Sequence, residues 1–375
     1  MRPSFDEADL VRGISAWTAV ESPTSDPAGV NRVMDLAFDE ASTSSVAVER
    51  VAGRDGLGDS VILRAGPGSG DPGILVLSHL DTVHPLGTLA RDLPIRRDGD
   101  RLYGPGIYDM KGGAYLAFRA FLAVAKSGAA PRPMTFLFTS DEEIGSPTTR
   151  GIIEDLGRRA SAVLVTEPAR DGGKCVTSRK GVGRFEFEVE GRPAHSGSRH
   201  PDGRSAIREA AMHITSIEGM TDYDRGITTT VGLVSGGTAQ NVIPQHCRFS
   251  VDLRVVTASD GEALEEKLLA LQPRGPDIKL RITGGMNRPP YERTEAIAAL
   301  YEQARALAAE IGLDLGEVPR TGGGSDGNFT AALGIPTLDG LGVDGDGAHT
   351  LSEHALVSSF VPRARLMASL LQNLR

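Results

Sequence analysis

A histidine and an aspartate lie two residues apart, directly after an apolar run. The run Ile74–Leu77 is followed by Ser78, and then by His79 and Asp81. A histidine at the end of a buried strand can bind a metal ion, and an acid that accepts the second ring N–H can fix its tautomer. The same pair could equally form a local hydrogen bond, so it does not decide the chemistry alone.

Further acids and histidines follow apolar segments or turns elsewhere in the chain. Taken alone, each has a structural explanation, such as a helix cap for an aspartate or a salt bridge for a glutamate at a strand end. The separate explanations do not predict that all of these residues follow apolar segments or turns. These residues are Asp109 in G-P-G-I-Y-D-M-K-G-G, the pair Glu142 and Glu143 after the apolar run that ends at Ser140, Glu167 after Ala162–Val165, His195 in G-R-P-A-H-S-G, and His349 in D-G-A-H-T.

The common position of these side chains predicts a metal centre. Ligands bind outside the carboxyl ends of strands in open α/β sheets, and His79, Glu142 and Glu167 come just past such ends. One pocket would then hold several acids, whose mutual repulsion raises their pKa values unless a counter-charge is present. Two divalent metal ions resolve this conflict, because the carboxylates of Asp109, Glu143 and Glu167 together with a hydroxide would neutralise two dications.

Length, composition and charge limit the classes of protein to consider. With 375 residues, 40% of them hydrophobic and 24% charged, the chain is long enough for two domains with a sizeable core. Its formal net charge of −9 argues against a nucleic-acid-binding face. Two cysteines are too few for a disulfide framework, and we find neither a hydrophobic leader nor an apolar run that could cross a bilayer. We therefore expect a soluble, cytoplasmic protein that binds neither nucleic acid nor membrane.

Hydrophobic periodicity predicts an α/β domain that is interrupted by a second domain. Ile74–Ser78 and Met134–Ser140 are continuous apolar runs, which are typical of strands buried on both faces. From about residue 178 to 287, alternating strands and amphipathic helices follow the order β-α-β-β-α-β, which predicts an antiparallel sheet with both helices on one side. We therefore predict an α/β domain formed by residues 1–177 and 288–375, with an inserted α+β domain at residues 178–287.

These motifs resemble those of the M20 family of zinc-dependent exopeptidases and amidohydrolases. The sequences S-H-L-D-T-V, G-P-G-I-Y-D-M-K-G-G, D-E-E and T-E-P occur in this order, and the resemblance covers nearly the whole chain. It is greatest to the glutamate carboxypeptidase branch, near the acetylornithine and succinyl-diaminopimelate deacylases. The resemblance implies a di-zinc exopeptidase-like catalytic domain with a mixed sheet between helices, and an inserted ferredoxin-like dimerisation domain.

The resemblance also implies a set of metal ligands. His79, Asp109 and Glu167 would bind one zinc ion. Asp109, Glu143 and His349 would bind the second zinc ion, so that Asp109 bridges the pair. Each subunit would therefore hold two Zn²⁺ ions, with Co²⁺ or Mn²⁺ as alternatives that the sequence does not distinguish.

Catalytic roles follow from the same resemblance. Asp81 would orient His79, and Glu142 would act as the general base for a hydroxide that bridges the metal ions and attacks an amide carbonyl. His195 would reach the site of the partner subunit and stabilise the oxyanion. A homodimer formed through residues 178–287 would then be required for activity.

Substrate contacts are implied at a few further positions. Arg288 is similar to the arginine that binds the substrate's α-carboxylate through two hydrogen bonds, and Asn241 matches a family position near the substrate. The glycine-rich loop with Gly323, Gly324 and Ser325 resembles the loop that lines the leaving-group pocket. Missing side chains there would let backbone groups approach a ligand.

More than one function is compatible with these residues. The main hypothesis is zinc-dependent hydrolysis of an amide bond in a small peptide or N-acyl amino acid, with release of a C-terminal, glutamate-like residue. A deacylase of small N-acyl amino acids is the alternative, and Met110 follows Asp109 as in the deacylases. A non-catalytic relative that acts as a binding protein is a more remote alternative. A dinucleotide-binding oxidoreductase is not supported, because no G-x-G-x-x-G opens a helix after the first strand.

Overall fold

The structure is a computed structural model that describes residues 3–68, 70 and 72–374. The chain divides into two compact units. The first unit consists of the described residues up to Ser178, of Arg293–Thr321, and of the described residues from Ser325 onward. The second unit consists of Arg179–Glu292 and Gly322–Gly324. The predicted domain limits at residues 1 and 375 lie outside the described residues.

Helices and strands alternate through most of the chain, and short turns of other helical types lie between them. In the described part of the chain, no helix is both long and apolar enough to cross a membrane. The helices are α1 (Glu7–Thr18), α2 (Pro27–Ser42), α3 (Thr88–Arg91), α4 (Gly112–Ser127), α5 (Arg150–Gly157), α6 (Ala206–Glu218), α7 (Ala258–Leu269), α8 (Glu295–Ala309), α9 (Gly327–Ala332) and α10 (Phe360–Asn373). The strands are β1 (Ala47–Val51), β2 (Ser60–Ala65), β3 (Gly73–His79), β4 (Arg96–Asp98), β5 (Arg101–Tyr103), β6 (Met134–Thr139), β7 (Ala160–Val165), β8 (Cys175–Val176), β9 (Gly181–Glu190), β10 (Thr228–Gly236), β11 (His246–Val255), β12 (Lys279–Arg288), β13 (Glu317–Val318), β14 (Thr337–Leu338), β15 (Gly345–Asp346) and β16 (His354–Leu356).

A six-stranded mixed sheet forms the centre of the first unit. Its strand order is β1-β2-β6-β3-β7-β14. β3 pairs in parallel with β6 and β7, and β14 pairs in parallel with β7, whereas β2 is antiparallel to both of its neighbours. The carboxyl ends of β3, β6 and β7 therefore lie at one edge of the sheet. The predicted mixed sheet is confirmed.

Both faces of this sheet are covered by helices. Val76 of β3 belongs to the same core as Phe118 of α4 on one face. The adjacent Leu75 points to the opposite face and packs in a core with Ile153 of α5 and Phe329 of α9. Successive side chains of a strand alternate between faces, so a strand covered on both sides needs apolar residues at every position. This is why β3 reads as a continuous apolar run.

The second unit follows the predicted β-α-β-β-α-β order. Its elements are β9, α6, β10, β11, α7 and β12, and its antiparallel sheet has the order β10-β11-β9-β12. Phe187 of β9 stacks on Phe249 of β11 in a core that is separate from that of the first unit. The unit extends to Glu292, whereas the sequence predicted a limit at residue 287. β12 pairs with β9 as far as Arg288, with a shift in register between Met286 and Arg288.

Truncating the Phe187 side chain should destabilise the second unit. Phe187 is fully buried, and its ring centroid lies 4.5 Å from that of Phe249. We expect Phe187→Ala to lower the free energy of unfolding by about 3–5 kcal/mol. Urea unfolding followed by circular dichroism measures this loss. The fluorescence of Trp17, the only tryptophan, reports the first unit separately.

Tyr223, which is 84% exposed, provides the control for this experiment. Tyr223→Ala removes an aromatic ring of similar size without opening a cavity, so we expect an unfolding curve close to that of the original chain. Equal unfolding midpoints for the two variants would contradict the assignment of Phe187 to the core of the second unit.

Candidate metal centre

The predicted metal ligands lie at or beside the carboxyl edge of the central sheet, at the end of a strand or in the segments that follow strands. β3 ends at His79, while β6 and β7 lead into Glu143 and Glu167. Because these strands are parallel neighbours, the residues that follow them meet at one edge. Asp109 lies in the turn before α4, and His349 lies in the loop before β16.

The carboxylate of Asp109 faces two separate groups of ligand atoms. Its Oδ1 lies 3.2 Å from Nε2 of His79, and its Oδ2 lies 3.3 Å from Nε2 of His349. Glu167 completes the first group, with Oε1 at 3.8 Å from the His79 Nε2. Glu143 completes the second group, with Oε2 at 3.3 Å from the His349 Nε2. Within each group of three, the ligand atoms all lie within 4.8 Å of one another, which suits a metal ion.

The charges of the side chains around Asp109 favour the binding of cations. Burial alone would raise the pKa of Asp109, but hydrogen bonds from His349 and His79 hold it well below its usual range. Hydrogen bonds to Asp109 and Glu143 raise the pKa of His349 to about 10. Burial raises the pKa of Glu143, and the hydrogen bond from His349 only partly offsets this rise. Protonated imidazoles therefore supply positive charge that divalent ions would replace.

One buried oxygen also indicates that the donor set fits metal ions. Oε1 of Glu143 is buried and has no hydrogen-bond partner among the described residues. A buried carboxylate oxygen without a partner is costly, and a cation beside it removes that cost. Each group combines one imidazole with two carboxylates, which are ligands that zinc takes in proteins.

Asp81 organises two of the loops around this centre. Nδ1 of His79 lies 2.9 Å from the main-chain oxygen of Asp81 and 3.4 Å from its carboxylate Oδ1. The carboxylate accepts the N–H groups of Glu142 and Glu143 at 3.2 Å each, and the hydroxyl of Thr24 at 2.7 Å. Asp81 thus orients the His79 ring mainly through its backbone and holds the Glu142 turn through its side chain. Glu142 is half-buried, and its charge contributes to raising the pKa of His79.

His195 and Asn241 lie together in the second unit. The N–H of Ser196 donates to the main-chain oxygen of Asn241 at 3.0 Å, so their two loops are paired. Nδ1 of the exposed His195 ring accepts the N–H groups of Gly197 and Ser198 at 3.1 and 3.2 Å. In the neutral ring, the proton therefore resides on Nε2, which becomes a hydrogen-bond donor.

Two buried arginines contact the glycine-rich loop of the second unit. Arg288 is 4% exposed, and a Cβ on Gly324 would come within 2.7 Å of its Cδ. Arg179 is 1% exposed and donates from Nη1 to the main-chain oxygen of Gly323 at 3.1 Å. The close approach explains why glycine stands at position 324. Sequence analysis missed Arg179, because nothing in its local pattern distinguishes it from a surface arginine.

Ser325 follows the glycine-rich loop and belongs to the first unit. The residue is fully buried, and its hydroxyl donates to Oδ2 of Asp339 at 2.5 Å while it accepts the N–H of Gly327 at 3.1 Å. The hydroxyl is therefore engaged in the turn that begins α9. The placement of Ser325 beside the substrate stays a prediction.

Buried charged residues near Asp109 were also missed by sequence analysis. Lys111 is 1% exposed, and its Nζ donates to the main-chain oxygen of Val20 at 2.6 Å. Burial lowers the pKa of this lysine to about 7. Glu353 and His84 are likewise buried and hydrogen-bonded to each other. The motif D-M-K-G-G draws attention to Lys111, whereas no local signal distinguishes Glu353 or His84.

The fold and the site together define a class of protein. A mixed α/β sheet with two groups of imidazole and carboxylate donors at its carboxyl edge is suited to metal-assisted hydrolysis. The chain belongs to peptidase family M20/M25/M40, whose sequence profile matches residues 75–373. It is therefore an M20-family hydrolase that acts on amide bonds, within a family of metallopeptidases and amidohydrolases. The family predicted from the motifs is confirmed.

Individual relatives are similar over most of the chain. Carboxypeptidase G2 of Pseudomonas sp. (strain RS-16) is 29% identical over 372 residues, which cover 97% of this chain and 88% of that protein. A succinyl-diaminopimelate desuccinylase of Delftia acidovorans is 29% identical over 338 residues, which cover 83% and 84% of the two chains. The crystal structure of a tripeptidase from Staphylococcus aureus has the same fold, with a TM-score of 0.79 and 20% identity over 99% of each chain.

Removing single carboxylates should reveal the division of the donors into two groups. We expect the original chain to retain two zinc ions after dialysis, Glu143→Ala and Glu167→Ala to retain one, and Asp109→Ala to retain none. Metal analysis of the dialysed proteins measures this. Glu302→Ala on the exposed face of α8 should retain both ions. Loss of the same number of ions from the Asp109 and Glu143 variants would contradict a shared role for Asp109.

Proposed function

We propose that this protein is a metallo-carboxypeptidase that releases a C-terminal, glutamate-like amino acid from a small peptide or N-acyl substrate. The observation that carries the metal chemistry is the carboxylate of Asp109, whose two oxygens face separate donor groups. The carboxypeptidase assignment is supported by the similarity to carboxypeptidase G2, which extends over 97% of the chain.

Five side chains would hold two metal ions, for which zinc is the proposed identity. His79 and Glu167 would bind the first ion, Glu143 and His349 the second, and Asp109 both. When bound, the two ions would activate a water molecule for attack and polarise the amide carbonyl. Cobalt or manganese could occupy the same donors, since carboxylates and imidazoles do not select strongly among these metals.

Glu142 is the proposed general base. Its N–H donates to the Asp81 carboxylate at 3.2 Å, which fixes the turn that carries the Glu142 side chain. The Glu142 carboxylate takes a proton from the attacking water and delivers it to the leaving amide nitrogen, so that bond breaking does not expel an anionic amine. The neighbouring Glu143 has a different task, because its Oε2 faces His349.

His195 is the proposed stabiliser of the oxyanion. Because its Nδ1 accepts two backbone N–H groups, its Nε2 is available as a donor to the developing negative charge. A donor of this kind is worth about 2.7–4 kcal/mol in the transition state. We propose that His195 acts in the site of a partner subunit, in a homodimer formed through the second unit. The free, buried thiols of Cys175 and Cys247 are compatible with the cytoplasmic location proposed for this dimer.

Substrate recognition is proposed to depend on the second unit. Arg288 would bind the α-carboxylate, Asn241 would lie beside the substrate, and backbone groups of Gly323 and Gly324 would line the leaving-group pocket.

A deacylase of small N-acyl amino acids is the second candidate. Its support is the similarity to a succinyl-diaminopimelate desuccinylase over 83% of the chain. A panel of substrates distinguishes the two candidates by varying one side of the amide at a time. A carboxypeptidase should discriminate more strongly among released amino acids, and a deacylase should discriminate more strongly among acyl groups.

Replacing Glu142 by glutamine should slow turnover strongly without removing metal. Glutamine keeps the size of the side chain but cannot accept the proton, so kcat should fall by about 10²–10⁴-fold. Metal analysis should still find two ions per chain. Glu302→Gln, at an exposed position of α8, is the control and should keep full activity. Activity of the Glu142 variant within twofold of the original enzyme would exclude it as the base.

Replacing Arg288 by lysine should weaken substrate binding selectively. Lysine keeps the charge but cannot form two parallel hydrogen bonds with a carboxylate, so KM for N-acyl-glutamate substrates should rise by about tenfold or more. The corresponding α-carboxamide substrate should be cleaved equally by both proteins. Arg281→Lys on the same strand, with a side chain 75% exposed, is the control. An unchanged KM for the glutamate substrate would remove Arg288 from recognition.

A further inference from the structure

A buried carboxylate outside the two donor groups organises the turn that carries Asp109. Glu353 is fully buried, and its Oε1 accepts the N–H groups of Tyr108 and Asp109 at 2.9 and 3.0 Å. Its Oε2 accepts the N–H of Gly106 at 2.9 Å. Nε2 of His84 supplies a fourth hydrogen bond, at 2.6 Å from the same oxygen. Both oxygens of this carboxylate therefore accept hydrogen bonds. The donors are three backbone N–H groups and the His84 ring, and no side chain of a proposed metal ligand is among them.

The backbone of the turn explains why an acceptor is needed there. Gly106 has a φ angle of 71°, and its N–H group and those of Tyr108 and Asp109 all point to the Glu353 carboxylate. Convergent N–H groups of this kind form a site for a negatively charged oxygen. Among the described residues, the N–H groups of Gly106, Tyr108 and Asp109 donate to Glu353 and not to a strand, so the side chain supplies what a sheet would otherwise supply. Without that acceptor, the N–H groups would be buried and unpaired. The cost in free energy would favour a different backbone conformation of the turn.

Glu353 also belongs to the segment that carries His349. The segment folds back on itself, because the N–H of Glu353 donates to the main-chain oxygen of Thr350 at 3.3 Å. β16 begins directly after Glu353 and pairs with β5, which precedes the Asp109 turn. One side chain thus links the backbone of Asp109 to the loop of His349.

We propose that Glu353, braced by His84, is a positioning residue for the metal centre. It fixes the turn so that Asp109 presents one carboxylate oxygen to each donor group, towards His79 at 3.2 Å and towards His349 at 3.3 Å. Outer groups that orient a metal ligand typically change metal affinity by about 10–100-fold when they are removed. The inference rests on the proposed two-metal function and adds two residues that act through Asp109.

The chain offers a matched control in its second unit. Glu209 of α6 is 2% exposed and accepts the N–H groups of Arg274 and Gly275 at 2.5 and 3.0 Å. Its Oε1 also lies 3.2 Å from Nε2 of His213. The same combination of buried glutamate, histidine and backbone donors therefore occurs in a unit that contains none of the proposed metal ligands. A general loss of stability should affect both glutamates, whereas a role in positioning should affect only Glu353.

The experiment compares Glu353→Gln with Glu209→Gln in the full chain. Each metal-free protein is titrated with Co²⁺, and the stoichiometry, the affinity and the visible absorption spectrum are recorded together with Tm, kcat and KM. We expect both variants to lose Tm. Only Glu353→Gln should bind Co²⁺ about 10–100-fold more weakly, with an altered visible spectrum. Its kcat should fall while KM stays within about twofold, because the substrate contacts are not altered.

The possible outcomes separate this inference from the proposed function. If the original chain binds two Co²⁺ ions and hydrolyses an amide, but both variants keep its Co²⁺ affinity and spectrum, Glu353 is only structural and the inference is wrong. If the original chain binds fewer than two ions, the two-metal function fails and the inference fails with it. A change confined to Glu353→Gln supports the inference.

A second pair of variants keeps the test decisive if Glu353→Gln does not fold. His84→Ala removes one of the four hydrogen bonds and leaves the three backbone bonds to Glu353 in place. His213→Ala is its control in the second unit. We expect a smaller loss of Co²⁺ affinity and a smaller spectral change for His84→Ala, and none for His213→Ala. An unchanged spectrum and affinity in His84→Ala would overturn the bracing role.

Discussion

Buried negative charge at the carboxyl edge of the central sheet is the constraint on which the first unit depends. The ligand atoms of Asp109 lie within 4.8 Å of those of Glu167 in one group and of Glu143 in the other. Glu143 and Glu167 follow parallel strands, and Asp109 lies in the turn before α4. Carboxylates so close together remain ionised only if positive charge is nearby. The chain itself supplies two imidazoles, His79 and His349, and both acquire raised pKa values as a result. Divalent cations would meet this demand more fully than protons, because each adds twice the charge.

Two further carboxylates, which face the backbone, hold this arrangement in place. Asp81 accepts the N–H groups of Glu142 and Glu143, and Glu353 accepts those of the turn that ends at Asp109. Loops at a strand end lose the hydrogen-bond partners that a sheet provides, and buried N–H groups need replacements. Ionised acceptors form stronger and shorter hydrogen bonds than neutral ones. Carboxylates therefore have two roles in this centre. Some face the proposed metal positions, and others hold the loops that carry the proposed ligands.

Sequence reasoning recovers the parts of this centre that depend on local pattern. An apolar run followed by a polar residue predicts both a buried strand and its chemically active end, so His79 and Glu167 could be placed without a structure. Glu353 and His84 could not be placed in this way, because they are 269 positions apart and neither lies in an informative pattern. Their contact depends on how the segment before β16 folds against the turn before α4. The buried position of Arg179 likewise depends on the path of the glycine-rich loop, which carries no periodic signal.

The division into two units gives a physical reason why the reaction class is easier to infer than the substrate. The proposed metal ligands all belong to the first unit, whereas Arg288, Asn241 and His195 belong to the second, which has its own core. Substitutions in the second unit can therefore change recognition without disturbing the charge balance around Asp109. Relatives with different printed activities, a carboxypeptidase and a desuccinylase, are equally identical to this chain at 29%. The overall sequence identity is an average over both units and does not distinguish the two activities. The substrate therefore has to be inferred from the few residues that contact it.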